Sequence, residues 1–155
     1  INKRCQQPDF KHICNEGLIH RLAKVNHPVY YGGPVLTNVV GVLHSTDYIL
    51  SSTNKLTDDK VGFTLDRKML EVIAKGQGPK NKLITLGLAN WSTGQLEEEL
   101  EHPRDPAMSW LLMDYDEKFV FGQLDEDKPD DLWERSLAEA IRKKTKEITS
   151  RVFKD

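Results

Sequence analysis

From Phe10 onward, apolar side chains return every three to four residues, at Phe10, Ile13, Cys14, Leu18, Leu22 and Val25. That spacing predicts an amphipathic helix over residues 9–25, with Asp9 as its N-cap and Gly17 as its weak point. The period then shortens. Val29, Tyr30, Tyr31 and Val35 surround Gly32-Gly33-Pro34, and residues 39–44 form a second β-branched run, so two short strands joined by a glycine-rich turn are expected. Residues 51–59 are polar and read as loop, and residues 61–64 read as a brief strand. Leu65, Met69, Val72 and Ile73 fall on one helical stripe, which Gly76-Gln77-Gly78-Pro79 should terminate. Residues 83–88 are apolar on both alternating faces, the pattern of an interior strand.

The next stretch, Asn90-Trp91-Ser92-Thr93-Gly94-Gln95, predicts a helix start, because Ser92 and Gln95 are spaced as a capping box. Glu97, Glu98 and Glu99 then occupy the first two turns, where the positive end of the helix dipole favours carboxylates. Residues 101–107 hold two prolines and read as loop. Residues 110–113 and 118–121 look like two strands across a turn. Leu132, Leu137, Ile141, Thr145, Ile148 and Val152 predict a long final helix. No repeat or low-complexity tract interrupts the chain, so helices and strands interleave within one α+β or α/β unit.

Composition changes this picture little. The 155 residues, 38% apolar, match one domain with one core, so a single domain over residues 1–155 is expected. A net charge of -2 supplies no basic field to attract nucleic acid. No run approaches the roughly 20 apolar residues that a membrane span needs. With Cys5 and Cys14 as the only cysteines, a cytoplasmic protein with reduced thiols is the economical reading. The chain opens on Ile1, so the expectation is a processed product or one that begins partway into a longer protein.

Several constellations carry candidate chemistry. Three consecutive glutamates on a helix point about 100° apart and do not converge on one ligand. Trp91 either packs the strand-to-helix corner or offers a flat apolar wall to a ligand, and Gly94 would permit close approach to the helix start. Cys5, His12, Cys14, His20 and His27 are metal-capable types, but their spacing matches no common zinc pattern, so no metal is expected. His44-Ser45 with Asp47 offers the residue types of a nucleophile and base, yet neighbours on a strand face opposite ways, so His44 cannot serve Ser45 directly, and no Gly-x-Ser-x-Gly elbow is present. Gly32-Gly33-Pro34 lacks the lysine and hydroxyl of a phosphate loop, so it implies a tight turn and no cofactor. Residues 142–146 form the basic cluster of the last helix, read as a solvated face in preference to a groove-reading one.

Tyr31-Gly32-Gly33-Pro34-Val35, Val42-Leu43-His44, Gly76-Gln77-Gly78-Pro79, Leu86-Gly87 and Trp91 with Gly94-Gln95-Leu96-Glu97 and Glu99, in this order, resemble the AlgH/YqgE family of uncharacterised bacterial proteins. Trp110-Leu111 and Trp133 resemble its downstream tryptophan positions, and Ile1-Asn2-Lys3 resembles an Ile-Asn-Lys that lies well inside family members, so the family's N-terminal segment is expected to be missing. The chain departs from the family at Val39-Val40-Gly41, where an Arg-Gly-aromatic triplet is usual, at Leu88, Asn90 and Ser92, and in an insertion over residues 102–107. The resemblance implies an α+β fold with a mixed, bifurcated, partly barrel-like β-sheet flanked by helices. Members have been called transcriptional regulators, with no enzymatic activity or DNA-binding motif established.

Two functions of different class follow. The first is a non-enzymatic binding or regulatory module that holds a small ligand or a protein partner near Gly32, Gly33, His44, Trp91, Gly94 and Gln95. The second is an enzyme, hydrolytic in type, with a cleft around His44 and Trp91. The first is preferred, with no direct nucleic-acid contact and no membrane.

Overall fold

Asp9 starts the first helix as the sequence predicts. Its Oδ1 accepts the His12 amide at 2.9 Å and its carbonyl accepts Ile13 N at 3.1 Å. That backbone donor, more than anything else, holds the Asp9 carboxyl below the usual carboxylate range. The computed structural model describes residues 4–6, 9–16, 26–102, 110, 112–121 and 131–152. In chain order the elements are α1 (Phe10–Glu16), β1 (Val29–Tyr31), β2 (Val35–Ser45), β3 (Asn54–Leu56), β4 (Val61–Thr64), α2 (Arg67–Ala74), β5 (Lys82–Leu88), α3 (Gln95–Glu101), α4 (Glu117–Phe121) and α5 (Asp131–Val152). They fall into two compact units, Ile1–Ala89 and Asn90–Asp155. The predicted continuation of α1 over residues 17–25 lies outside the described residues.

In the first unit the five strands form one sheet in the order β1-β5-β2-β4-β3. β1 runs parallel to β5 and the other pairs are antiparallel. The expected α+β class is observed. The described sheet is open, with β1 and β3 at its edges, so its barrel-like character stops short of closure.

The interior strand expected over residues 83–88 is β5, with Leu83, Ile84 and Thr85 all buried. Its position corrects the simple picture of two strands joined by a turn. β1 and β2 are not neighbours, because both pair with β5, and the Gly32-Gly33-Pro34 segment carries the chain across the end of β5. Gly32 N donates to Leu86 O at 2.8 Å during that crossing. A Cβ on Gly32 would lie 2.1 Å from Gly87 O, and one on Gly33 would lie 2.3 Å from the Leu88 carbonyl carbon. Gly87 has φ +76° in return, and a Cβ there would meet Gly33 O at 2.4 Å. Backbone lies on backbone, which only glycine allows. Past the crossing, Val35 pairs with Leu88 and Val40 with Leu86, so residues 36–39 bulge opposite Gly87 alone.

β3 sits within the stretch that reads as loop. All three of its residues are exposed, so no apolar alternation marks it. It pairs with β4 through the turn of residues 57–60, in which Lys60 N donates to Thr57 O at 3.1 Å and Thr57, Asp58 and Asp59 take φ of 54°, 52° and 65°.

α2 has both predicted terminators. Asp66 Oδ1 accepts Lys68 N at 2.9 Å at its start. At its end Gln77 N reaches Val72 O at 3.1 Å and Gly76 N reaches Ile73 O at 2.8 Å, a Schellman arrangement with Gly76 at φ +76°. Met69, Leu70, Ile73 and Ala74 are buried from this helix. Leu65 departs from the predicted stripe and is 45% exposed, because it precedes the cap and is not helical. The core joins these side chains to Phe10, Ile13, Val29, Val42, Ile84 and Cys5. Arg4 bridges Tyr30, and Cys5 N donates to Val29 O at 2.7 Å, so the chain's start covers the outer edge of β1.

In the second unit α3 begins at Gln95, two residues later than a helix capped by Ser92 would begin. Gly94, at φ +81°, is its cap. Residues 118–121 form the one-turn helix α4 instead of a strand, with Val120 N donating to Asp116 O at 2.9 Å, and the described residues 110 and 112–116 hold no strand. Short apolar runs carry too little periodicity to separate the two structures. The long final helix is present as α5.

His27 supplies a pH test of this packing. Its half-buried ring meets Phe10 edge-on at 5.5 Å, and burial first, then the charge of Lys82, holds its imidazole below the ordinary histidine range. The unfolded chain, with a pKa of about 6.5, therefore takes up this proton first as the pH falls. The contribution to stability is complete above the unfolded pKa and is lost as the pH falls from about 7 toward the lower folded value. In urea unfolding at a series of pH values, His27→Gln should flatten that decline, and an unchanged slope would show that His27 does not cause it.

Candidate functional site

His44 lies on β2 opposite Gly62 and is 0% exposed. Ser45 O can only accept, so His44 Nδ1 carries the hydrogen and donates to it at 2.8 Å. The neutral ring's Nε2 accepts the Thr64 hydroxyl at 2.9 Å, and Thr64 Oγ1 in turn accepts the Thr53 hydroxyl at 2.8 Å, whose own oxygen accepts Leu50 N at 2.9 Å. The chain then has one consistent direction. A Cβ on Gly62 would sit 2.6 Å from His44 Cε1, so glycine makes room for the ring. Both ring nitrogens are engaged inside the sheet.

Ser45 faces a different set of groups. Its hydroxyl donates to Asp47 Oδ1 at 2.5 Å and accepts Asn81 N at 3.1 Å, while Lys80 N reaches Asp47 Oδ2 at 3.2 Å. The Ser45 donor, then Lys80 N, holds the Asp47 carboxyl below its usual range. This knot ties the end of β2 to the start of β5. His44 engages the carbonyl of Ser45 and not its hydroxyl, so His44 and Ser45 form no base–nucleophile pair.

Gly32 and Gly33 lie at the opposite end of β5. His44 pairs with Lys82 whereas Gly32 bonds Leu86, a separation of about 13 Å along a strand. Their missing side chains are filled by the β5 backbone. The structure thus does not gather Gly32, Gly33 and His44 around one point of the sheet.

The second unit does assemble a cluster. Trp91 Nε1 donates to Glu99 Oε2 at 3.3 Å, and Trp110 Nε1 donates to the same oxygen at 3.0 Å. The two indoles meet edge to face, with centroids 5.6 Å apart and an interplanar angle of 72°. Gln95 holds the other side. Its Nε2 donates to Glu99 Oε1 at 3.2 Å and its Oε1 accepts Ser92 N at 3.0 Å, which is one half of the expected capping box. The Ser92 half is replaced by a backbone bond, Gln95 N to Ser92 O at 3.0 Å. Gly94 is exposed, with nothing within 4 Å of where a Cβ would be. Trp91 is half-buried, and Trp110 is 47% exposed although its N–H is satisfied.

Glu99 and Trp110 are the cluster residues absent from the site that the sequence predicts, although both stand among the positions that carry the family resemblance. As one of three adjacent glutamates Glu99 reads as solvated, and only its position four after Gln95 and eight after Trp91 places it on their side of the helix. The basic cluster is partly engaged, since Arg142 donates to both oxygens of Glu139 and Lys143 pairs with Asp114. Among the described residues no group of three or more His, Cys, Asp or Glu side chains could hold a metal. Cys5 is a buried free thiol, and His20 and the side chain of Cys14 lie outside the described residues. Among the described residues no helix is long and apolar enough to cross a membrane.

A family model described as AlgH-like matches residues 1–144, and the chain belongs to that family. It is 43% identical over 102 residues to a UPF0301 protein of Bradyrhizobium sp., a match covering 66% of this chain and 45% of the relative. It is 39% identical over 112 residues to a UPF0301 protein of Rickettsia akari, covering 71% and 53%. The chain spans about half the length of these curated relatives. The solution structure of the AlgH protein from Pseudomonas aeruginosa is similar with a TM-score of 0.65 and 26% identity, covering 90% of this chain and 69% of that one.

If the His44 chain is a structural network, Thr64→Val should cost about 1–3 kcal/mol, because the near-isosteric change leaves Nε2 and the Thr53 hydroxyl without their partner. Denaturant unfolding measures this, and wild-type stability would contradict the network.

Proposed function

We propose that the chain is a non-enzymatic binding module whose contact surface is the corner formed by Trp91, Gly94, Gln95, Glu99 and Trp110. The observation that carries this reading is the shared acceptor: both indole N–H groups meet one Glu99 oxygen while nearly half of Trp110 stays in solvent. A buried wedge would not need an exposed ring. Fixing two large aromatic side chains in advance lowers the entropy cost of binding. In this reading Gly32, Gly33 and His44 serve the sheet. The hydrolytic alternative has little support, because His44 has both nitrogens bonded away from Ser45 Oγ. Any regulatory effect would run through a small ligand or a partner at the tryptophan corner, in the cytoplasm, and not through the α5 basic cluster, where Arg142 and Lys143 already have acidic partners.

Native mass spectrometry of protein purified from a bacterial cytosol tests this. The wild type should carry a bound species that Trp110→Ala and Gln95→Ala lose, with each variant melting within about 4 °C of the wild type. Turnover of an ester, amide or phosphoester substrate that Gln95→Ala abolishes in a folded protein would overturn the reading in favour of an enzyme.

A further inference from the structure

We infer that the tryptophan corner recognises a guanidinium group; this rests on the corner being a binding surface. Three observations select the charge and shape of the ligand. First, each indole donates its N–H to a carboxylate, and such a bond pushes electron density into the ring and makes its face more attractive to a cation. Second, Trp110 is fixed at its N–H edge by Glu99 and by its edge-to-face contact with Trp91, yet is 47% exposed, so a rigid aromatic surface stands in solvent. Third, α3 itself is acidic. Glu97, Glu98 and Glu101 are exposed on it beside Glu99, no lysine or arginine lies within Gln95–Glu101, and among the described residues those exposed glutamates make one ion pair, Glu98 with His102 at 3.9 Å.

An anion would be repelled here, and a neutral ligand would make no use of the charge. Among cations, guanidinium is planar and more weakly hydrated than ammonium, so it loses less on leaving water to stack on an indole. The group could arrive on an arginine side chain of a partner segment or as a small free guanidine compound.

The test follows the indole 15N–1H signals of the full chain, assigned by single tryptophan substitutions, during titration with N-acetyl-arginine amide and with its neutral isostere N-acetyl-citrulline amide. The Trp91 and Trp110 signals should move saturably with the arginine compound, and citrulline should bind at least about tenfold more weakly. Glu99→Gln should weaken arginine binding several-fold, as should raising the salt to about 1 M, where charge interactions reach only about 3 Å. Trp110→Leu should abolish the response, and a thermal melt of each variant checks that it is folded. A glycine-flanked two-arginine peptide that binds about tenfold tighter than agmatine would assign the group to a partner segment, and parity would assign it to a small molecule. Equal responses to arginine and citrulline would overturn the cation while leaving the binding corner in place. No response to either would overturn the guanidinium inference, and the bound species seen by mass spectrometry would still decide the corner's role separately.

Discussion

β1 and β2 lie on either side of β5, so the chain that leaves β1 must pass over the end of β5 before it can enter β2. The order of the sheet depends on that passage. Gly32 and Gly33 approach Gly87 and Leu88 so closely that a methyl group on any of the three glycines would fall within 2.4 Å of main-chain atoms. Once the crossing is made, the register follows. Val42 comes opposite Ile84 and Val29 opposite the same residue from the other side, which sets three buried side chains in one row of the core. The bulge over residues 36–39 is the slack left by the same crossing.

The same constraint reassigns residues that look chemical in the sequence. A glycine pair beside a strand end and a histidine ahead of a serine invite a ligand or a catalyst, yet each is used up by the fold. Gly32 and Gly33 make clearance for another strand. His44 is the terminus of a hydroxyl chain that begins at Leu50 N and links β2 to β4, and Gly62 is small because that ring lies against it. A buried polar chain of this kind stabilises only when every member is satisfied, as each is here.

Much of the fold was legible because local signals agreed with tertiary ones. α2 carries a capping aspartate, an apolar stripe and a terminating glycine, and β5 is apolar on both faces. Where a local signal was weak or misleading, another force decided. β3 is held by its turn and its pairing, neither of which leaves an apolar pattern. Residues 118–121 are too few to distinguish period 2 from period 3.6. The crossing was invisible for a different reason: Gly32 and Gly87 are 55 positions apart, and pairing over that distance is not written in either neighbourhood. Of the candidate site, Trp91, Gly94 and Gln95 stand among the residues the sequence singles out for a ligand, whereas Glu99, one of three adjacent glutamates, and Trp110 were marked only by family resemblance.

The family signature thus divides by physical role. In this chain Gly32, Gly33, Gly87 and His44 hold a sheet whose strand order demands a backbone crossing, and Trp91, Trp110, Gln95 and Glu99 build a polar-aromatic cluster. The most direct measurement of that division is thermal unfolding of Gly32→Ala followed by far-UV circular dichroism. If the glycine exists for backbone clearance, the variant should lose its cooperative transition or melt more than about 10 °C below the wild type, since the added methyl forces the two main chains apart. A melting curve superimposable on that of the wild type would contradict the crossing as the organising constraint and return Gly32 to the ligand-lining role its sequence context suggests.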